Sequence, residues 1–214
     1  GVGRESCLPK TAWPPTSVCA QVVHLLHISD VHGAALALTI AGDLAEQLKE
    51  HSIKRRYRAV VQGNLKENEG TVNAPVGRHP TDRKKMAINH KNGKEAITHY
   101  KVLERFGQAT YIECRLETGR THQIRVHMAH ITHPLVGDQV CGGRPRPPKG
   151  ASDEFISVLR KFDRQALHAT MLRLYHPITG IQMEWHAPIP QDMVDLIDAM
   201  RADFEEHKDQ VDWL

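Results

Sequence analysis

Between Thr110 and Ile131 the sequence changes period. Thr110-Tyr111-Ile112-Glu113-Cys114-Arg115-Leu116 alternates apolar and polar side chains, as a half-covered strand does; Ile124, Met128 and Ile131 then recur at helical spacing. A chain that passes from strand to helix through one short glycine turn is committed to layers of sheet and helix. Thr118 or Thr121 is expected to cap that helix, and His133-Pro134 to end it.

The flanking segments follow the same logic. Residues 22–29 read as a buried strand, and the run 34–40 is open between helix and strand. From Asp43 a helix is expected to end near Ser52, with Leu44, Leu48 and Ile53 on one face. Strands are expected over 56–61, 85–88, 96–102, 166–175 and 180–187, with short strands and turns over 64–80. Asn92-Gly93 is a hairpin signal before 96–102, and residues 176–180 turn between the last two strands. Helices are expected around 155–159 and over 191–205, where Met193, Leu196, Ile197 and Met200 share a side. Strands outnumber helices and most links are hairpin-like. The expectation is an α+β fold with a largely antiparallel mixed sheet and flanking helices.

Composition narrows the function. Of 214 residues, 40% are hydrophobic and 25% charged, ordinary for a globular chain, and the net charge is only +3. The cations nevertheless cluster at 54–58, 83–85 and 144–149, the footprint of a polyanion partner. Four cysteines without a CxxC favour a reducing compartment, and no apolar run reaches the about 18 residues that span a bilayer. A cytoplasmic protein with no membrane partner is expected.

Three local readings compete. His122, His127, His130 and His133 crowd one region, but no HExxH-like register supplies a zinc site. Leu26-His27-Ile28-Ser29-Asp30-Val31-His32-Gly33 with Ala41-Gly42-Asp43 is similar to the metal-binding blocks of metallophosphoesterases. Those blocks need a crossover of a dozen or more residues between strands, which the spacing does not allow. The third reading is a nucleic-acid site. Arg120, His122, Gln123 and Arg125 are placed in the first turn and a half of a helix whose N-terminus favours phosphate, with Gly119 permitting close approach.

Ordered similarity then decides among them. LETGRTHQIRVHMAHITHPLVGD (116–138) resembles the third motif of the RluA-type pseudouridine synthases, in the RluD branch that modifies large-subunit ribosomal RNA. Lys54 to Val61 resembles the family's KRRYRAVV-type segment. Arg78-His79-Pro80 with residues 83–87 resembles its RHP…RKKMA segment, 165–169 its ALHA block, and 176–180 its HP-x-TG turn. The resemblance runs from about residue 44 to Leu214.

What the resemblance implies is isomerisation of uridine to pseudouridine in RNA. The base leaves C1′, rotates and rejoins through carbon, with no cofactor and no metal, after being flipped out of its stack. Arg125 stands where the family places the arginine that pairs with its catalytic aspartate, and Tyr57 where a tyrosine packs on the uracil. Arg120, His122 and Gln123 are expected to hold RNA backbone or flanking bases. Lys54, Arg55, Arg56, Arg78, Arg83, Lys84 and Lys85 are expected as further RNA contacts, and Arg144, Arg146 and Lys149 as phosphate contacts.

The aspartate belongs to an HRLDxxTSG-type motif that residues 22–42 do not contain. His24 and Leu26 echo it, but His27 stands where the Asp would follow. Asp30 is the nearest substitute, and Asp43 belongs to the next helix. Residues 1–43 are therefore expected to form a divergent segment and 44–214 a catalytic-domain portion, as a monomer without the S4-like RNA-binding domain. A strand lost from mid-sheet would leave an unpaired interior edge and poor solubility. The readings carried forward are a synthase, a catalytically inactive RNA-binding remnant of that family, and a metallophosphoesterase.

Overall fold

The computed structural model describes residues 33–211, apart from 51, 83, 144–146, 148 and 149. Asp30, Arg83, Arg144, Arg146 and Lys149 lie outside the described residues, as do the strand expected over 22–29 and His27 and His32. The chain runs α1 (Gly33–Lys49), β1 (Lys54–Gln62), β2 (Glu69–Asn73), β3 (Val76–Arg78), β4 (Met86–Ile88), β5 (Ile97–Arg105) and β6 (Ala109–Leu116). It continues with α2 (Gln123–His130), α3 (Asp153–Lys161), β7 (Leu167–Tyr175), β8 (Gln182–His186) and α4 (Gln191–Val211).

Six strands form one sheet in the order β2-β5-β6-β1-β7-β8, and β3 pairs β4 in a separate two-stranded sheet. Every pairing of named strands is antiparallel. The α+β architecture expected from the sequence is the one observed.

β1 is the keystone. Ala59, Val60 and Val61 have no exposed surface, because both sheet faces are covered. Val60 shares one core with Phe106 of the β5–β6 turn and with Phe155, Leu159, Met193, Leu196 and Met200, the apolar side of α3 and α4. Ala59 and Val61 meet Ile112, Ile124, Met128 and Leu135 on the α2 side. With β6 on one edge and β7 on the other, β1 has no unpaired interior edge, contrary to expectation.

Three local expectations change. α1 begins at Gly33 rather than Asp43, so the ambiguous Ala/Leu run is helical; Ile40 and Leu44 pack with Ile53 and Leu174. Its Gln47 docks it to β7, donating to the Tyr175 carbonyl (2.7 Å) and accepting from the Tyr175 amide (3.0 Å). Asn92-Gly93 makes a turn but no hairpin between its neighbouring strands: Lys94 bridges back to Val76, while β5 pairs β2 and β6. The last helix runs to Val211, beyond the expected 205. Among the described residues no helix is long and apolar enough to cross a membrane.

Candidate RNA-binding active site

The site forms where β1, the β6–α2 loop and the start of β7 meet. Tyr57, Leu116 and Leu167 line a small hollow with Ile124, Arg125, Arg120, His122 and Gln123. Tyr57 sits mid-sheet, opposite Cys114 on β6 and Ala169 on β7. The β1–β7 register shifts between Arg56 and Tyr57, leaving Thr170 as the extra residue, a bulge of the kind that re-aims side chains beside sites. Burial raises the Tyr57 phenol above its ordinary pKa, opposed by the Arg55 charge, so the ring is a neutral, half-buried face.

Neither threonine caps α2. The N-cap is His122, in the left-handed region at φ 57°, with no side-chain cap bond. A non-glycine residue there is uncommon, though histidine is among the more tolerant. Arg120 and His122 therefore precede the helix instead of lying in its first turn.

The loop is held from inside by Thr118 and Gln123, which are 3% and 2% exposed. The Thr118 hydroxyl accepts from the Ile97 amide (2.9 Å) and donates to Gln123 Oε1 (2.8 Å). Gln123 Oε1 also accepts the Arg120 amide (2.9 Å), while its Nε2 donates to the Ile97 carbonyl and Thr98 Oγ1, both at 3.0 Å. Gln123, expected as an RNA contact, is committed to shaping the loop.

Arg55 also turns inward. Expected as an RNA contact, it is 7% exposed, and its guanidinium lies against Gly119 of the loop. A Cβ at Gly119 would come within 2.4 Å of Arg55 Nη1. The close approach at Gly119 is made by this arginine. Lys54, Arg56, Arg78, Lys84 and Lys85 are exposed. Arg120 is half-buried and donates from Nε to the Glu95 carbonyl at 2.9 Å.

Arg125, 8% exposed, makes a two-pronged pair with Asp138: Nε to Oδ2 at 2.8 Å and Nη2 to Oδ1 at 2.9 Å. Asp138 Oδ1 also accepts the Val140 and Cys141 amides, each at 3.1 Å. Asp138 was not among the expected site residues, although it closes the 116–138 motif. The available signal was a lone acid at the end of a motif that carries Arg120 and Arg125.

His122 feels this pair. Burial lowers its pKa first, the Arg125 and Arg78 charges lower it further, and Asp138 pulls the other way. At neutral pH it is an uncharged imidazole, suited to hydrogen-bonding a base or sugar more than to pairing with phosphate.

Two of the other histidines have structural work. His127 is fully buried between Thr98 Oγ1 and the Ala74 carbonyl, both at 2.9 Å, and His133 Nδ1 meets the Gln62 carbonyl at 2.8 Å. Among the described residues no three His, Cys, Asp or Glu side chains gather as metal ligands. Asp43, the second block of the metallophosphoesterase reading, lies inside α1 and accepts from Gln47. That chemistry needs it at a strand end.

Residues 35–130 match the family model described as RNA pseudouridylate synthase. The ribosomal large subunit pseudouridine synthase D of Salmonella typhimurium is 65% identical over 197 residues, 91% of this chain and 60% of that protein. The Escherichia coli K12 protein of the same name is 64% identical over the same length, and that of Haemophilus influenzae 53% over 196 residues. The chain thus spans 60% of the length of these relatives. A match of 197 residues cannot fit within 44–214, so the likeness reaches into the first 43 residues.

Human RNA Pseudouridylate Synthase Domain Containing 1 superposes with a TM-score of 0.54 at 27% identity, covering 76% of this chain and 71% of that one. Human RNA Pseudouridylate Synthase Domain Containing 4, at TM-score 0.57 and 23% identity over 75% and 67% of the two chains, supports the fold alone. By sequence and by fold, the chain belongs to the RNA pseudouridylate synthase family, among its RluA-type members and in the RluD branch.

Proposed function

We propose that this chain works as a pseudouridine synthase on large-subunit ribosomal RNA in the cytoplasm, isomerising uridine without a cofactor. The observation that carries the proposal is that Tyr57 and Arg125 line one hollow, rimmed by Arg120 and His122. A uridine extruded from its stack, at a cost of a few kcal/mol, sets its uracil on the Tyr57 ring beside Leu116 and Leu167. Arg125 presents fixed positive charge where the family's aspartate acts, favouring the ionised carboxylate. Cleavage at C1′, rotation of the base and rejoining through carbon conserve every atom, so no co-reactant is required.

The carboxylate that starts the reaction is assigned to Asp30, the nearest acid to the place of the family motif. Lys54, Arg56, Arg78, Lys84 and Lys85 supply phosphate contacts, together with Arg83, Arg144, Arg146 and Lys149. The protein acts as a monomer.

A second reading, RNA binding without turnover, is favoured by one observation. Arg125 already has a carboxylate partner in Asp138, whose side chain is 1% exposed. The two readings part in one assay: incubation with unmodified large-subunit RNA, followed by carbodiimide-dependent primer-extension stops. Site-specific stops that vanish with Asp30→Ala establish the synthase and its acid. Stops that survive Asp30→Ala move the acid elsewhere. RNA binding with no stops leaves the non-catalytic reading standing.

A further inference from the structure

A second concavity, of about 400 Å³, lies between α2 and the β3–β4 sheet. Val126 and Ala129 of α2 form one wall, Met86 and Ile88 of β4 the other, and Val140 stands at its mouth, 54% exposed. The floor is backed by a small core in which Val76, Ala96 and Val126 are buried. Lys85, His79 and His130 supply the polar groups, and no carboxylate lines the concavity among the described residues. Asp82 touches Lys85 at 3.6 Å, but both are exposed and such a pair is weak.

His79 has a fixed polarity. Its Nδ1 accepts the Asp82 amide at 3.1 Å and the Thr81 amide at 3.3 Å. The neutral ring must therefore carry its proton on Nε2, a defined donor at the concavity. An apolar slot of this size with cationic and donor groups at its edge has the composition of a ligand site. Exposed Lys84 and Arg78, adjoining in sequence, give the surroundings the sign that a polyanion needs.

We propose that this concavity binds one unstacked nucleobase of the same RNA strand, flanking the target uridine. The inference rests on the proposed function, since the strand must first be held at the Tyr57–Arg125 hollow. The two sites share α2 as a wall, Ile124 and Arg125 lining the hollow and Val126 and Ala129 the concavity, so a few nucleotides of splayed strand can reach both. Sequence-specific RNA recognition is made largely through such splayed bases. The groove then reads a neighbour while the hollow holds the substrate.

The test uses a fluorescent single-stranded fragment of large-subunit RNA that the protein protects in footprinting. A series of the same fragment carries an abasic ribose at each position near the protected centre. Binding is measured by anisotropy, apart from any turnover. One abasic position is expected to weaken wild-type binding roughly tenfold, the scale of burying a small apolar group. In Ala129→Phe, which fills the slot, intact RNA should bind about as weakly as the abasic fragment, with no further loss on removing the base. Val140→Asp, at an exposed position that leaves the core untouched, should erase the same abasic effect and serves if Ala129→Phe does not fold.

An abasic penalty undiminished in both variants, or no position with a penalty, overturns the groove assignment while leaving the synthase reading intact. Failure to protect any RNA overturns both.

Discussion

Asp138 grips Arg125 through two hydrogen bonds of 2.8 and 2.9 Å, with the acid side chain 1% exposed and the arginine 10%. The pair fixes which way the guanidinium faces beneath the hollow. Burial pushes the Asp138 carboxyl upward, but the Arg125 hydrogen bond and the Cys141 and Val140 amides outweigh it, so its pKa lies below the ordinary value. Removing one partner of a buried pair leaves the other charge uncompensated, and Asp138→Asn should cost roughly 3–5 kcal/mol in urea unfolding at neutral pH. An acid with a depressed folded pKa contributes stability above its unfolded value, near 3.9, and loses it as pH falls through the folded value. The Asn variant should therefore show a flatter acid limb than the wild type.

Gly119 and Arg55 make a second testable couple. The Cβ of Gly119→Ala would overlap Arg55 Nη1 at 2.4 Å, and φ at this position is not positive, so the cost is steric. Overpacking of this kind typically costs about 1–3 kcal/mol. In a double-mutant cycle by thermal unfolding, Arg55→Ala should remove most of the Gly119→Ala penalty. Independent, additive losses would show that the overlap does not carry the effect.

Much of the fold was legible because period carries it: the strands that became β1, β5, β6 and β7 and the apolar sides of α2 and α4 follow directly from alternation and helical spacing. The site was less legible, since side-chain identity does not say which way a polar group faces. Gln123 and Arg55 have the chemistry of RNA contacts, yet burial turns both inward to build the loop. Thr118 and Thr121 have cap chemistry, but the left-handed His122 brings the chain into α2 without either. Asp138 was hidden by distance, 13 residues from Arg125 and joined to it only by the return of the chain after α2. Asn92-Gly93 signalled a turn correctly; strand pairing is non-local and no turn residue encodes it.

His127 supplies a pH prediction. Burial lowers its pKa, the Ala74 carbonyl opposes that shift, and nearby His130 adds to it. The folded state thus keeps the ring neutral while the unfolded chain protonates near 6.5. Its stabilising contribution is complete above that value and declines as pH falls toward the folded pKa, at up to about 1.4 kcal/mol per pH unit. His127→Gln, which cannot titrate, should be less stable than wild type at pH 8 by roughly 1–3 kcal/mol if a buried hydrogen bond goes unmade. The gap between the two should narrow as the pH is lowered to 5, read from urea midpoints at each pH. A constant gap would mean that another group titrates in that window.

Tyr57 and the surface cations should separate by their salt dependence. If the Tyr57 ring stacks on a base, Tyr57→Ala loses roughly 1–3 kcal/mol of RNA affinity, whereas Tyr57→Phe keeps it, since the neutral hydroxyl carries no charge to the strand. Stacking releases no counterions, so the slope of log affinity against log salt should match the wild type in both variants. Lys84→Ala with Lys85→Ala should reduce affinity and also flatten that slope, by about 0.7 for each phosphate of a single strand that is no longer neutralised. Anisotropy titrations of one RNA at several salt concentrations read both quantities. A slope change in Tyr57→Ala would mean that the ring orders phosphate contacts rather than holding a base.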